Sequence, residues 1–143
     1  MFQNILVVFI TSKHTEHTHK TAFEVAKKFN SKITFLKCII TPQPKFGFFH
    51  TKEEKQYHKK QLQDAEESFR EIETLAKKFE ISIKTKVESV ESFTDFLVSH
   101  VEQNNVDLLI IDSHSLGEAT DQDHKARINK IFEEVSCPLL TLK

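Results

Sequence analysis

Glycine is scarce in this chain. Average usage of ~7% would place roughly ten in a protein of this length, yet the 143 residues hold two, Gly47 and Gly117. Any function that needs several glycines to bring backbone close to a ligand is disfavoured from the start. Tryptophan is absent, and there are three prolines and two cysteines. Cys38 and Cys137 sit in apolar, strand-like contexts, so a disulfide framework is not expected and a reducing cytoplasm fits. No apolar run approaches the ~18 residues that a membrane span needs. "MFQNILVVFITSKH" lacks a basic start and a small-residue cleavage site, and reads as a strand, not a signal peptide. The formal net charge of -1 gives no basic face for nucleic acid.

What is present is an alternation of buried strands and amphipathic helices, expected to form one domain over residues 1–143. "NILVVFI" (Asn4–Ile10) is a continuous apolar run of strand length. Ala22, Val25, Ala26 and Phe29 then recur at helical spacing, predicting a helix from Glu16 to Phe29 capped by Thr15 or Ser12. "ITFLKCI" (Ile33–Ile39) is a second buried strand. "TPQPKFGFF" is a loop. A long helix over Lys52–Phe79 carries Leu62, Ala65, Phe69, Ile72, Ala76 and Phe79 on one face. That stripe is too short for a coiled-coil seam and is expected to pack on a sheet.

"ISIKTKV" alternates, with Ile81, Ile83, Thr85 and Val87 against Ser82, Lys84 and Lys86, as in an edge strand. Ser92 or Glu91 opens a helix, "VDLLIID" (Val106–Asp112) is a third buried strand, a helix follows near Asp123–Val135, and "PLLTL" closes the chain. The pattern predicts an α/β fold: a doubly wound, five-stranded parallel sheet of order 3-2-1-4-5 with helices on both faces, Rossmann-like. Ligands in such sheets bind where the strand order reverses. Here that point lies between "TSKHTEHTHK" after the first strand and "SHSLGEATDQDHK" after the fourth.

Laid out in this order, the chain resembles the universal stress protein family. "AFEVAKKFNSKITFLKCI" resembles that family's first helix and second strand. "VDLLIIDSHS" resembles the fourth strand and its Gly-Thr-His-Gly ending, and "SCPLLTLK" the terminal Cys-Pro strand. The resemblance implies a stress-related signalling role. Many members bind ATP through Gly, two residues, Gly, nine residues, then Gly-Ser or Gly-Thr. Carried over by position, the glycines fall on Asp112, Ser115 and Lys125, and the Ser/Thr on Ala126. The adenine-contacting Asp falls on Ile10, while Ser113 and His114 keep the look of the motif. Side chains at the glycine positions obstruct backbone approach to phosphate, and Asp112, Glu118, Asp121 and Asp123 repel it. The expectation is a member without bound ATP and without a cofactor. The alternative is an ATP- or AMP-binding member with a degenerate loop, in which Ser12, Ser113, His114, Ser115 and Lys125 hold the phosphates and backbone near Ile39 holds the base.

Two further features carry chemistry. His14, His17 and His19 in one switch-point loop, with Asp112, His114, Asp121, Asp123 and His124 in the other, form a second alternative, a rim for zinc or a similar metal. "HTEHTH" matches no standard metal spacing, however. His17 also falls on the solvent side of its helix. Phe46, Phe48 and Phe49 form an aromatic loop, either a lid or a partner-binding patch or, as favoured here, a cover for the sheet edge and the long helix.

For catalysis, Ser113 beside His114 lacks a strained turn and an orienting acid, so no enzyme is expected. A hydrolase of the related adenine-nucleotide α/β superfamily is the remaining alternative. Leu139, Leu140 and Leu142 form an apolar edge, and members of the family that dimerise often use this strand. The expectation is a cytoplasmic, non-catalytic homodimer, joined through this strand, that acts by binding or signalling, with an unidentified protein partner, no nucleic acid and no membrane.

Overall fold

The computed structural model describes residues 1–11, 16–41, 51–112 and 121–142, with the backbone alone for 121–125. The elements are β1 (Asn4–Phe9), α1 (Glu16–Phe29), β2 (Lys32–Ile40), α2 (Lys52–Lys78), β3 (Ile83–Val90), α3 (Phe93–Gln103), β4 (Leu108–Asp112), α4 (Asp121–Glu134) and β5 (Leu139–Leu142). All strands pair in parallel, in the order β3-β2-β1-β4-β5. That is the expected sheet. Among the described residues no helix is long and apolar enough to cross a membrane, and both cysteines are free.

Strand side chains alternate between two cores. Ile5, Val7, Phe9, Ile33, Phe35, Leu108 and Ile110 face α1 and α2. Leu6, Val8, Leu36, Cys38, Leu109 and Ile111 face α3 and α4. The three central strands are buried on both sides over most of their length, where each residue meets one core or the other, while Asn4, Lys32 and Thr34 near their amino ends are less covered. The α2 stripe packs through Ala65, Phe69, Ile72 and Ala76. Leu62 departs from expectation: it is 37% exposed, since the amino-terminal half of α2 stands away from the sheet and leaves a cavity there.

Three helices end in the same way, without glycine. Asn30, Glu80 and Asn105 adopt left-handed φ of 54°, 57° and 51°. Around them run paired bonds: Asn30 N–H to Lys27 O with Ser31 N–H to Ala26 O, Glu80 to Lys77 with Ile81 to Ala76, and Asn105 to Glu102 with Val106 to Val101. These are Schellman motifs. They explain why two strands begin later than their apolar runs. Ile81 and Val106 close helix ends, so β3 starts at Ile83 and runs on to Val90, and β4 starts at Leu108. Asp107 between them accepts from Gln3 N and Asn4 N at 2.8 and 2.9 Å, tying the start of β4 to β1.

Candidate functional site

The strand order reverses between β1 and β4, and the carboxyl ends of those strands define the candidate site. Asp112 is the last residue of β4 and points to the α1 side. It is 2% exposed, and its carboxylate accepts from the Thr18 hydroxyl at 2.7 Å. Thr18 is the third residue of α1, so the carboxylate meets the amino-terminal turn of that helix, where backbone dipoles favour negative charge. In nucleotide-binding α/β proteins such a helix end holds phosphate. Here the Asp112 side chain reaches that turn through its bond to the Thr18 hydroxyl.

A buried cation lies across β1 from it. Lys37, from β2, is 1% exposed and lies opposite Phe9 in the parallel register. Its ammonium sits 5.6 Å from the centre of the Phe9 ring and donates to the Ile10 carbonyl. Burial pushes its pKa down to about 8, with Asp64 acting in the opposite direction. A lysine inside an apolar strand run such as "ITFLKCI" must find a polar partner. That was the available signal for this residue, and periodicity alone passes over it.

Beyond the carboxyl ends of β2 and β3, a cavity of about 720 Å³ opens under the first turns of α2. Ile39, Ile40, Thr41, Tyr57, His58 and Leu62 are among its walls. The Thr41 hydroxyl is buried with no hydrogen-bond partner among the described residues. Thr51 caps α2 by accepting from Glu54 N at 3.2 Å.

The expected site residues distribute unevenly. Ile10 lies just past β1, half-buried, and Ile39 is buried. Ser12, Ser113, His114 and Ser115 lie outside the described residues, as do His14 and the Phe46–Phe49 loop. The proposed α1 caps Ser12 and Thr15 lie outside them too. Lys125 and Ala126 fall inside α4, which starts at Asp121, two residues earlier than the spacing suggested. Only the first four N–H groups of a helix lack an internal acceptor, so the amides of Lys125 and Ala126 belong to the helix ladder.

Of the histidine rim, only His17, His19 and Asp112 have described side chains. His17 is exposed, whereas His19 is buried with its ring edge-on to Phe35 at 5.6 Å. Asp121, Asp123 and His124 are placed by backbone only. Among the described residues no three His, Cys, Asp or Glu side chains gather as around a metal. Leu139, Leu140 and Leu142 are part-buried on β5, which pairs with β4 and ends the sheet.

The sequence as a whole, residues 1–143, matches the sequence model of the universal stress protein family. The chain belongs to that family. Solved universal stress proteins share its fold. The one from Lactobacillus plantarum superposes with a TM-score of 0.73 at 12% identity, covering 99% of this chain and 98% of that one. The Archaeoglobus fulgidus protein in complex with dAMP gives 0.67 at 11% identity, over 100% and 98%. An Arabidopsis thaliana family protein with AMP bound gives 0.56 at 13%, over 99% and 90%. Among curated proteins, none matches the chain by sequence.

Proposed function

We propose that this universal stress protein is a non-catalytic regulatory module of the cytoplasm whose phosphate seat is filled from within. The carrying observation is the Asp112 carboxylate, buried at the end of β4 and bonded to Thr18 in the first turn of α1. A triphosphate arriving there would have to displace a satisfied buried carboxylate or lie against a like charge, and either disfavours binding. The helical placement of Lys125 and Ala126 supports the same reading, since their amides are spent. Regulation then proceeds through protein contacts, with β5 as the edge through which two copies join.

A second reading is favoured by a separate observation. The cavity beside Ile39, with the buried Thr41 hydroxyl, has a volume within the range of small-molecule sites. Solved relatives carry dAMP and AMP. In that reading a base enters beside Ile39 and the phosphates are held without glycines.

One experiment separates the two. The purified protein is denatured and the released small molecules are chromatographed, before and after incubation with ATP and magnesium. No adenine nucleotide above background is expected. Stoichiometric retained nucleotide would overturn the first reading, and conversion to ADP or AMP would revive the hydrolase.

A further inference from the structure

The face of the sheet opposite α1 and α2 is incompletely covered. At its β2–β3 end, beside α3, lies a cavity of about 390 Å³ lined by Lys32, Thr34, Lys84, Lys86, His100 and Asn104, together with Asn4 and neighbouring strand residues. Its described lining holds three ammonium groups and no carboxylate. The register explains the gathering. Thr34 lies opposite Lys84 and Leu36 opposite Lys86, and Lys32 is two residues before Thr34 on the same side of β2. Alternation therefore aims all three lysines to one face, where His100 of α3 meets them.

Edge strands often carry lysine to prevent unwanted pairing, which accounts for Lys84 and Lys86. It does not account for Lys32, which belongs to β2, an interior strand, where it pairs with Asn4 of β1; the β2–β3 pairing begins one residue later, at Ile33. His100 is a second departure from a bland surface, 8% exposed yet polar. The Asn104 amide donates to the His100 carbonyl at 2.9 Å and sits 3.3 Å from Nδ1. With Nδ1 facing that N–H, the neutral ring carries its proton on Nε2, a tautomer assigned from this contact. Burial, then Lys86, holds the His100 pKa below its ordinary value, against a smaller pull from Glu88. Lys86 also bridges Glu88 at 3.2 Å, an exposed pair of the kind that contributes little and yields readily to a more highly charged anion.

We propose that this cavity, formed by Lys32, Thr34, Lys84, Lys86 and His100, is a binding site for a small, multiply charged phosphate compound. The chemistry favours phosphate over carboxylate. Lysine ammoniums act as point charges suited to tetrahedral oxyanions, whereas planar carboxylates are matched best by arginine forks, and no arginine is among the described lining. The cavity lies on a different part of the fold from Asp112, so the proposal stands whether or not the switch point binds nucleotide.

The test uses the full chain, titrated with sodium pyrophosphate at low ionic strength by calorimetry and by NMR of the His100 ring. Saturable one-site binding that shifts the His100 signals is expected, weakening as salt is raised. The double variant K84Q/K86Q should bind roughly tenfold more weakly or worse, while K60Q on the outer face of α2 should bind as before. No saturable binding would overturn the proposal. So would binding unchanged in the double variant, shifts centred on Thr18 and Asp112, or citrate binding as tightly as pyrophosphate. Aggregation of the double variant with its affinity intact would reduce the lysines to edge guards and overturn it equally.

Discussion

Lys37 places a cation where the surrounding strand is apolar, and the consequence is a pH dependence of definite sign. Its ordinary pKa of 10.5 falls to about 8 in the fold. Below about pH 8 both folded and unfolded chains hold the proton, and the cost of burying the charge is fully present. Between about pH 8 and 10.5 the folded chain has released a proton that the unfolded chain still holds, so this group makes stability rise with pH across that window. Lys37→Met keeps the stem that packs near Phe9 and removes the charge. It is expected to be more stable than the natural protein at pH 7 by about 1–2 kcal/mol, after losing the bond to the Ile10 carbonyl. That advantage should shrink towards pH 10. Urea unfolding of both proteins at the two pH values measures it, and a variant less stable at pH 7 would show that the bond outweighs the buried charge. The neighbouring Cys38 thiol behaves differently. Burial and then Glu88 push it up to about 12, leaving it an unreactive core group.

At the scale of the elements, the scarcity of glycine returns as a structural cost. The left-handed position after α2 is held by Glu80 at φ 57°, a conformation that disfavours residues with a Cβ. Glu80→Gly should therefore raise stability, by about 1 kcal/mol. A higher thermal midpoint with an unchanged circular dichroism spectrum is the expected result; a lower midpoint would mean that the Glu80 side chain makes a compensating contact.

The same helix ends show what could be read beforehand. Strand and helix order, and the edge position of β3, follow from hydrophobic period, which is set by which side chains meet a core. The starts of β3 and β4 were not legible, because Ile81 and Val106 are as apolar as strand residues while serving as closing residues of helix caps. Leu62 misleads in the same way, falling in the stripe but not on the sheet. In the candidate site, the place of Asp112 at the end of the fourth strand was legible from the apolar run before it. Its bond to Thr18 was not, since residues 94 positions apart meet only once the sheet order is built. The edge-on contact of His19 with Phe35 is likewise invisible until α1 is laid on the sheet.

For the whole molecule, the sheet has two unlike edges. β3 carries Lys84 and Lys86 outward, exposed, while β5 offers the part-buried Leu139, Leu140 and Leu142. A second copy is expected on the β5 edge, through an isologous contact that closes on itself. Light scattering at micromolar concentration should give twice the 16.7 kDa chain mass. The chain mass alone would remove the dimer from the proposal and leave regulation to a monomer.

The three Schellman joints all lie at the amino ends of the strands, and each runs into its strand within a few residues. An extra residue at any of them would slip the following strand by one position and turn its core side chains outward. Loops at the opposite pole are not bound by that arithmetic and lengthen at small entropic cost. One end of the molecule thus works as a fixed chassis. At the other, a change of loop length leaves the register of the sheet untouched.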